Sequence, residues 1–253
     1  MIRLLFALLL LSVFHGAWAT LDEDWLTAVG KRDIGRIERL LGHGVNVNLS
    51  TKDGKTALML AAQQGRTDII TALLDAGAVV DQRNTRGGTA LMYAAVLGDQ
   101  QAVELLLSRR AAINLQSSNG WTALMIAAVK GYEELVRVLL RHGADANLAD
   151  IYGWTPLMRA VAEDRLGVVH ILLVSKSVDV NARNDAGATA LHEAAEKGYF
   201  EIAQLLIANN ADVQSADRKG RTPLMVAGAS GHNAIVDLIN RTVSEREGSK
   251  RPR

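Results

Sequence analysis

Apolar and polar positions along this chain recur with a period near 33 residues, far longer than a helix turn or a strand pleat. The motif Thr-(Ala/Pro)-Leu begins at Thr56, Thr89, Thr122, Thr155, Thr189 and Thr222, in steps of 33, 33, 33, 34 and 33. A glycine stands two residues before each threonine, from Gly54 to Gly220. An alanine pair such as Ala61-Ala62 or Ala127-Ala128 follows most of them, and later comes a Leu-Leu pair before a Gly-Ala-Asp-like turn, clearest at Leu139-Leu140 and Gly143-Ala144-Asp145. In the unit 153–173, Thr155 can accept an orphan N–H at a helix start and Pro156 fits the first turn, where no donor is needed. Leu157 and Ala160 share one helical face, and a second helix carries the larger apolar residues from Val168 to Leu173. The pattern predicts paired short helices with glycine turns. One pair leaves two apolar flanks uncovered, so the units must stack on each other.

The register extends beyond the six motifs. Trp25, Ala28, Leu40, Leu41 and Gly44 lie 33 residues before Leu58, Ala61, Leu73, Leu74 and Gly77, which marks a degenerate opening repeat. Asp22, Glu23 and Asp24 suit its helix N-terminus. Asn240 replaces an apolar position of the last helix, as an end cap requires. Three departures predict local change. Arg110 and Asn210 stand where Gly77 and Gly143 stand, Asp164 replaces a mid-unit glycine, and one extra residue falls within 174–179. The unit carrying the last two is expected to be distorted.

Thr189-Ala190-Leu191-His192-Glu193-Ala194 nearly completes the motif Thr-Pro-Leu-His-x-Ala, and on these residues the chain resembles the ankyrin-repeat family over roughly 22–243. The resemblance implies an all-α ankyrin-repeat solenoid of helix-turn-helix units with β-hairpin or loop tips. It implies about seven repeats over 20–243, the first and last acting as caps. It also implies that Met59, Met92, Met125, Met158 and Met225, which replace the motif His, forgo that residue's bond to the threonine.

Composition changes the picture in two places. The start of the chain has Arg3, an apolar run from Leu4 to Phe14 broken only by Ser12, and then Ala17-Trp18-Ala19. A basic start, a short apolar run and a small-x-small ending read as a signal peptide over 1–19, cleaved after Ala19, and the run is too short to span a bilayer. A periplasmic location is expected, secretion being the alternative, with no membrane insertion once the signal is removed. Of 28 basic residues, loss of Arg3 leaves 27 against 27 acidic ones, so no field favours nucleic acid. From about Ser244 to Arg253 the composition reads as a disordered basic tail.

Candidate chemistry is sparse. The chain has no cysteine, no Gly-x-Ser-x-Gly, no phosphate-cradling loop and no His-Glu-x-x-His. His43 and His142 hold one position in repeats three apart and cannot share a metal, and His192 belongs to the framework. Glu163, Glu193 and Glu196 with Arg159 and Lys197 read as a solvated ion-pair network. Neither catalysis nor a metal or cofactor is expected.

Recognition then falls to positions free of stacking duty, which the resemblance places on the concave first-helix face and the tips. That face gives the sets Leu60, Gln63, Gln64; Tyr93, Val96, Leu97; Ile126, Val129, Lys130; Arg159, Ala162, Glu163; and Glu193, Glu196, Lys197. The second and third sets are apolar, and the tips beside them carry Trp121, Ile151, Tyr152 and Trp154. Arg218, Lys219 and Arg221 form a basic tip. Tyr93, Leu97, Trp121, Ile126, Val129, Tyr152 and Trp154 are therefore the expected protein-binding residues, in one continuous apolar patch. The expected function is a non-catalytic scaffold, a monomer or part of a heteromeric complex, inhibiting or protecting a partner enzyme as an immunity or accessory protein. The alternative is a structural or self-assembling envelope protein.

Overall fold

The computed structural model describes residues 20–175 and 177–248. The expected signal peptide at 1–19, Lys176 and the last five residues of the expected tail lie outside them. Fourteen helices form among the described residues, two to a repeat. They are α1 (20–31) and α2 (Ile34–Leu41), α3 (Ala57–Gln63) and α4 (Thr67–Asp75), α5 (Ala90–Leu97) and α6 (Gln100–Ser108). Then follow α7 (Ala123–Lys130) and α8 (Glu133–Arg141), α9 (Pro156–Ala162) and α10 (Leu166–Val174), α11 (Ala190–Lys197) and α12 (Phe200–Ala208), and α13 (Pro223–Ala229) and α14 (Asn233–Gly248). They form two compact units, one ending at Ser118 and the other starting at Asn119.

The motif residues do what their chemistry predicts. Thr56, Thr89, Thr122, Thr155 and Thr222 cap their helices by accepting the N–H of Met59, Met92, Met125, Met158 and Met225. The cap therefore survives the loss of the motif His. At Thr189 the His is present and adds a second link. Its Nδ1 accepts the Thr189 N–H at 3.2 Å, which leaves Nε2 to donate to the Arg221 carbonyl of the next repeat at 2.9 Å. Leu58, Leu91, Leu124, Leu157 and Leu191 are buried, as are the alanine pairs, so small and large apolar groups interlock within each unit. The opening repeat keeps its register, with Trp25, Ala28 and Ile37 buried and Gly44 left-handed at φ 75°.

Two expectations change. Asp164 adopts φ 54°, the left-handed turn that Gly131 and Gly198 make in neighbouring repeats, and α9 and α10 keep ordinary lengths. An Asp tolerates that conformation through its short polar side chain, so the unit is not distorted there. The extra residue is absorbed after α10, and the register is back by Asp179, whose N–H reaches Asn147 Oδ1 at 2.7 Å as the Val79 N–H reaches Asn48. Second, α14 continues through Ser244 to Gly248, so this part of the expected tail is helical. Ser244 Oγ donates to the Asn240 carbonyl, and the acidic and basic residues there are good helix formers.

Among the described residues the tips contain no β-strand. Each is a tight turn, closed at 150–154 by the Asp150 N–H on the Trp154 carbonyl at 3.0 Å and the Gly153 N–H on Asp150 O at 2.9 Å. Adjacent turns are tied by one backbone bond each. In the first unit Thr85 donates to Asp53 and Ser118 to Arg86. In the second Ile151 donates to Asn119, Asp185 to Tyr152, and Arg218 to Ala186.

Candidate functional site

An Asn or Asp organises four of the turns. Asn84, Asp150, Asn184 and Asp217 occupy the same register, and each turns one side-chain oxygen onto the backbone N–H groups two and four residues on. In Asn84 and Asp150 the other side-chain group reaches the first helix of the repeat, nine residues later. Asn84 Nδ2 donates to the Tyr93 hydroxyl at 3.0 Å. Asp150 Oδ2 accepts Arg159 Nε at 2.9 Å and a second guanidinium N–H.

The Asp150 pair is the most organised group in the second unit. Its carboxylate is fully buried, while the Arg159 side chain is 23% exposed. The guanidinium carbon lies 5.2 Å from the Trp121 ring centroid and 4.9 Å from that of Trp154. Both rings offer their electron-rich faces to a cation that a buried carboxylate holds in place. Both tryptophans are half-buried, and so are Ile126 and Val129 on α7. Ile151 and Tyr152, at the outer corner of the same turn, are 55% and 60% exposed. Large apolar groups thus stand in solvent beside a rigid aromatic cluster.

The first unit repeats the theme more weakly. Tyr93 is half-buried, bonded to Asn84, and Lys55 Nζ sits 5.9 Å from its ring centroid. Val96 and Leu97 are exposed at 43% and 46%. Leu60, from the corresponding position of α3, is buried instead. Tyr93 and Leu97 belong to the first unit, and Trp121, Ile126, Val129, Tyr152 and Trp154 to the second.

Arg159 was expected in a solvated network with Glu163, Glu193 and Glu196, and the structure corrects this. Its charge is committed to Asp150, which the tight turn brings beneath it. Sequence reasoning missed the pair because nine residues of turn and helix separate the partners; the available signal was that of the two aspartates in this register, Asp150 and Asp217, only Asp150 has an arginine nine residues on. Burial pushes the Glu193 carboxyl above its ordinary value, the Glu196 carboxylate adds to this, and Lys197 and Arg159 oppose it. Burial likewise lowers the His192 imidazole, against the hydrogen bond to the Arg221 carbonyl.

His43 and His142 each turn Nδ1 onto a carbonyl of their own helix, Arg39 O and Val138 O. Among the described residues no three His, Asp or Glu side chains converge where a metal ion could sit, and no helix is long and apolar enough to cross a membrane. A groove of about 600 Å³ lies on the second-helix side, between α8, α10 and α12, lined by Glu133, Arg137, Leu166, His170 and Leu205 among others. Its exposed lining is mainly apolar.

Paired short helices, capped threonines and linked turns define a helical repeat protein, and the family model for ankyrin repeats matches residues 26–117, 98–184 and 176–244. The chain belongs to the ankyrin-repeat family, whose repeats are protein–protein interaction modules. It is similar to the putative ankyrin repeat protein YahD of Escherichia coli strain K12, 38% identical over 58 residues, 23% of this chain and 29% of that protein. The chain thus spans less than a third of that relative's length. It is also similar to the crystal structure of the ankyrin repeat domain of Bcl-3, a member of the IkappaB protein family, with a TM-score of 0.74 at 28% identity. That likeness covers 86% of this chain and 97% of the Bcl-3 domain.

Proposed function

We propose that this protein is an exported, non-catalytic binding protein that holds a protein partner on its turn tips and first-helix faces. The observation that carries the reading is the Trp121–Arg159–Trp154 cluster with Ile151 and Tyr152 exposed beside it. A clamped guanidinium between two rings is already ordered, so contact with it costs little further side-chain entropy. Aromatic and arginine side chains of this kind are what interfaces use as anchors. Tyr93 and Leu97 add a second contact region in the first unit. The partner role that fits is inhibition or protection of an enzyme in the compartment reached through the signal at 1–19, as an immunity or accessory protein.

The test is capture with a carboxyl-terminally tagged full chain in its own cells. The mature protein should come from the periplasm with Thr20 as its first residue, and intact Met1 in the cytosol overturns export. Trp154→Ala and Trp121→Ala should each weaken the captured partner by about 2 kcal/mol or more. Variants that melt early but bind at full strength make the cluster a structural device, and move the interface to Glu193, Glu196 and their neighbours.

A further inference from the structure

Among the described residues the ladder of backbone bonds between turns stops with its last acceptor unused. Lys219 stands in the register of Asn119, Tyr152 and Ala186, each of which accepts an N–H from the following turn at 2.9–3.2 Å. Among the described residues no backbone N–H reaches Lys219 O. The adjoining glycines report the same opening sterically. A Cβ at Gly120, Gly153 or Gly187 would lie 2.6, 2.8 or 2.9 Å from the backbone of the following turn, but at Gly220 it would meet nothing within 4 Å. Below the turn, Met125 and Met158 are 0% and 2% exposed under the next repeat, while Met225, in the same position of α13, is 58% exposed. The pattern breaks inside the chain. Val243 continues α14 as helix at the position where Gly77, Arg110, Gly143 and Asn210 turn left-handed.

An unused carbonyl on an ordered turn, with room beside it, can accept one more extended segment. The neighbouring groups specify its side chains. Met225 offers apolar area. Arg218 and Lys219 are exposed cations, whereas Arg221 is already matched by Asp217 at 2.8 Å. We propose that the turn 217–221 and the exposed flank of α13 bind an extended acidic segment of another protein, added as the next rung on Lys219 O. An apolar residue of that segment rests on Met225 and its carboxylates face Arg218 and Lys219. Like charge disfavours both occupants this chain could supply. Residues 249–253 carry Lys250, Arg251 and Arg253, and the turn with the complementary donor, Lys52 N–H, carries Lys52 and Lys55 around Asp53. The surface shares no residue with the tryptophan cluster and stands or falls without it.

The probe is a labelled peptide of alternating glutamate and valine, titrated against the full chain and followed by fluorescence anisotropy. Its lysine–valine counterpart and a copy methylated on the backbone nitrogens serve as controls. The glutamate peptide should bind, and each control should bind about tenfold or more weakly, one for lost charge complementarity and the other for the lost N–H. Met225→Ser and the pair Arg218→Glu, Lys219→Glu should weaken it to a similar degree while melting as the native chain does. Failure of the glutamate peptide to bind, equal binding of the methylated peptide, or indifference to the charge reversal each overturns the proposal. So does a gain of affinity on deleting residues 249–253, which makes that segment the occupant. A concentration-dependent dimer abolished by Met225→Ser makes it a second copy of this chain instead.

Discussion

The turns at 150–154 and 217–221 hold an aspartate in the same register, and each carboxylate accepts two backbone N–H groups on one oxygen and an arginine on the other. The arginines come from different places. At Asp150 the cation is Arg159 of α9, lying between the rings of Trp121 and Trp154. At Asp217 it is Arg221, inside the turn itself and 51% exposed. Val226 holds the place of Arg159 in α13, and Arg221 holds the place of Trp154. Capping the turn therefore needs only the aspartate. Where the cation originates decides whether the turn is bound to its helix and its neighbour, or keeps its charge outward.

The largest effect should come from removing the buried carboxylate. Asp150→Ala leaves Arg159 and two N–H groups without their acceptor and should cost about 3–5 kcal/mol in urea unfolding. Asp217→Ala should lower the melting temperature clearly less, because water can solvate Arg221 in its place. Equal losses would break the distinction between the two turns.

A double-mutant cycle sharpens it. Trp154→Ala and Arg159→Ala should couple by about 1–2 kcal/mol, as a partly desolvated cation over an indole ring does. Arg221 paired with Val226 should show no comparable coupling. Zero coupling in the first cycle would reduce the cluster to two independent residues.

The smallest effect is pH-dependent and concerns how the last turn is held. His192 donates to the Arg221 carbonyl in its neutral form, and burial depresses its pKa. Its contribution is complete above the unfolded histidine's value and is lost as pH falls through the lower, folded one. Thermal melts below about pH 6.5 should therefore show a decline that His192→Met, the residue of the other five motifs, removes. The backbone N–H of Arg221, with its side chain, likewise holds the Asp217 carboxyl below its ordinary value, so a further loss belongs to the acid side of the carboxylate range. A decline of equal size in the His192→Met protein would remove the tie from the account.

The sequence alone determined the helix pairs and their caps, because those depend on residues within one turn of each other or one repeat apart. Leu157, Ala160, Gly131 and Thr155 each do what their spacing requires. It also located Trp121, Trp154, Ile151 and Tyr152 at turns, since any residue placed beside the motif glycine must be there. The tertiary structure decided what those side chains touch. Arg159 was placed on the open helix face, and only the packed repeat shows its guanidinium clamped between two rings on the buried Asp150 carboxylate. Met225 and Met158 are the same residue in the same motif, yet one is covered and the other open. Periodicity fixes local conformation because the chemistry of a cap or a left-handed turn is local. Contact and exposure depend on which surface arrives from the neighbouring repeat, and no repeat encodes its neighbour.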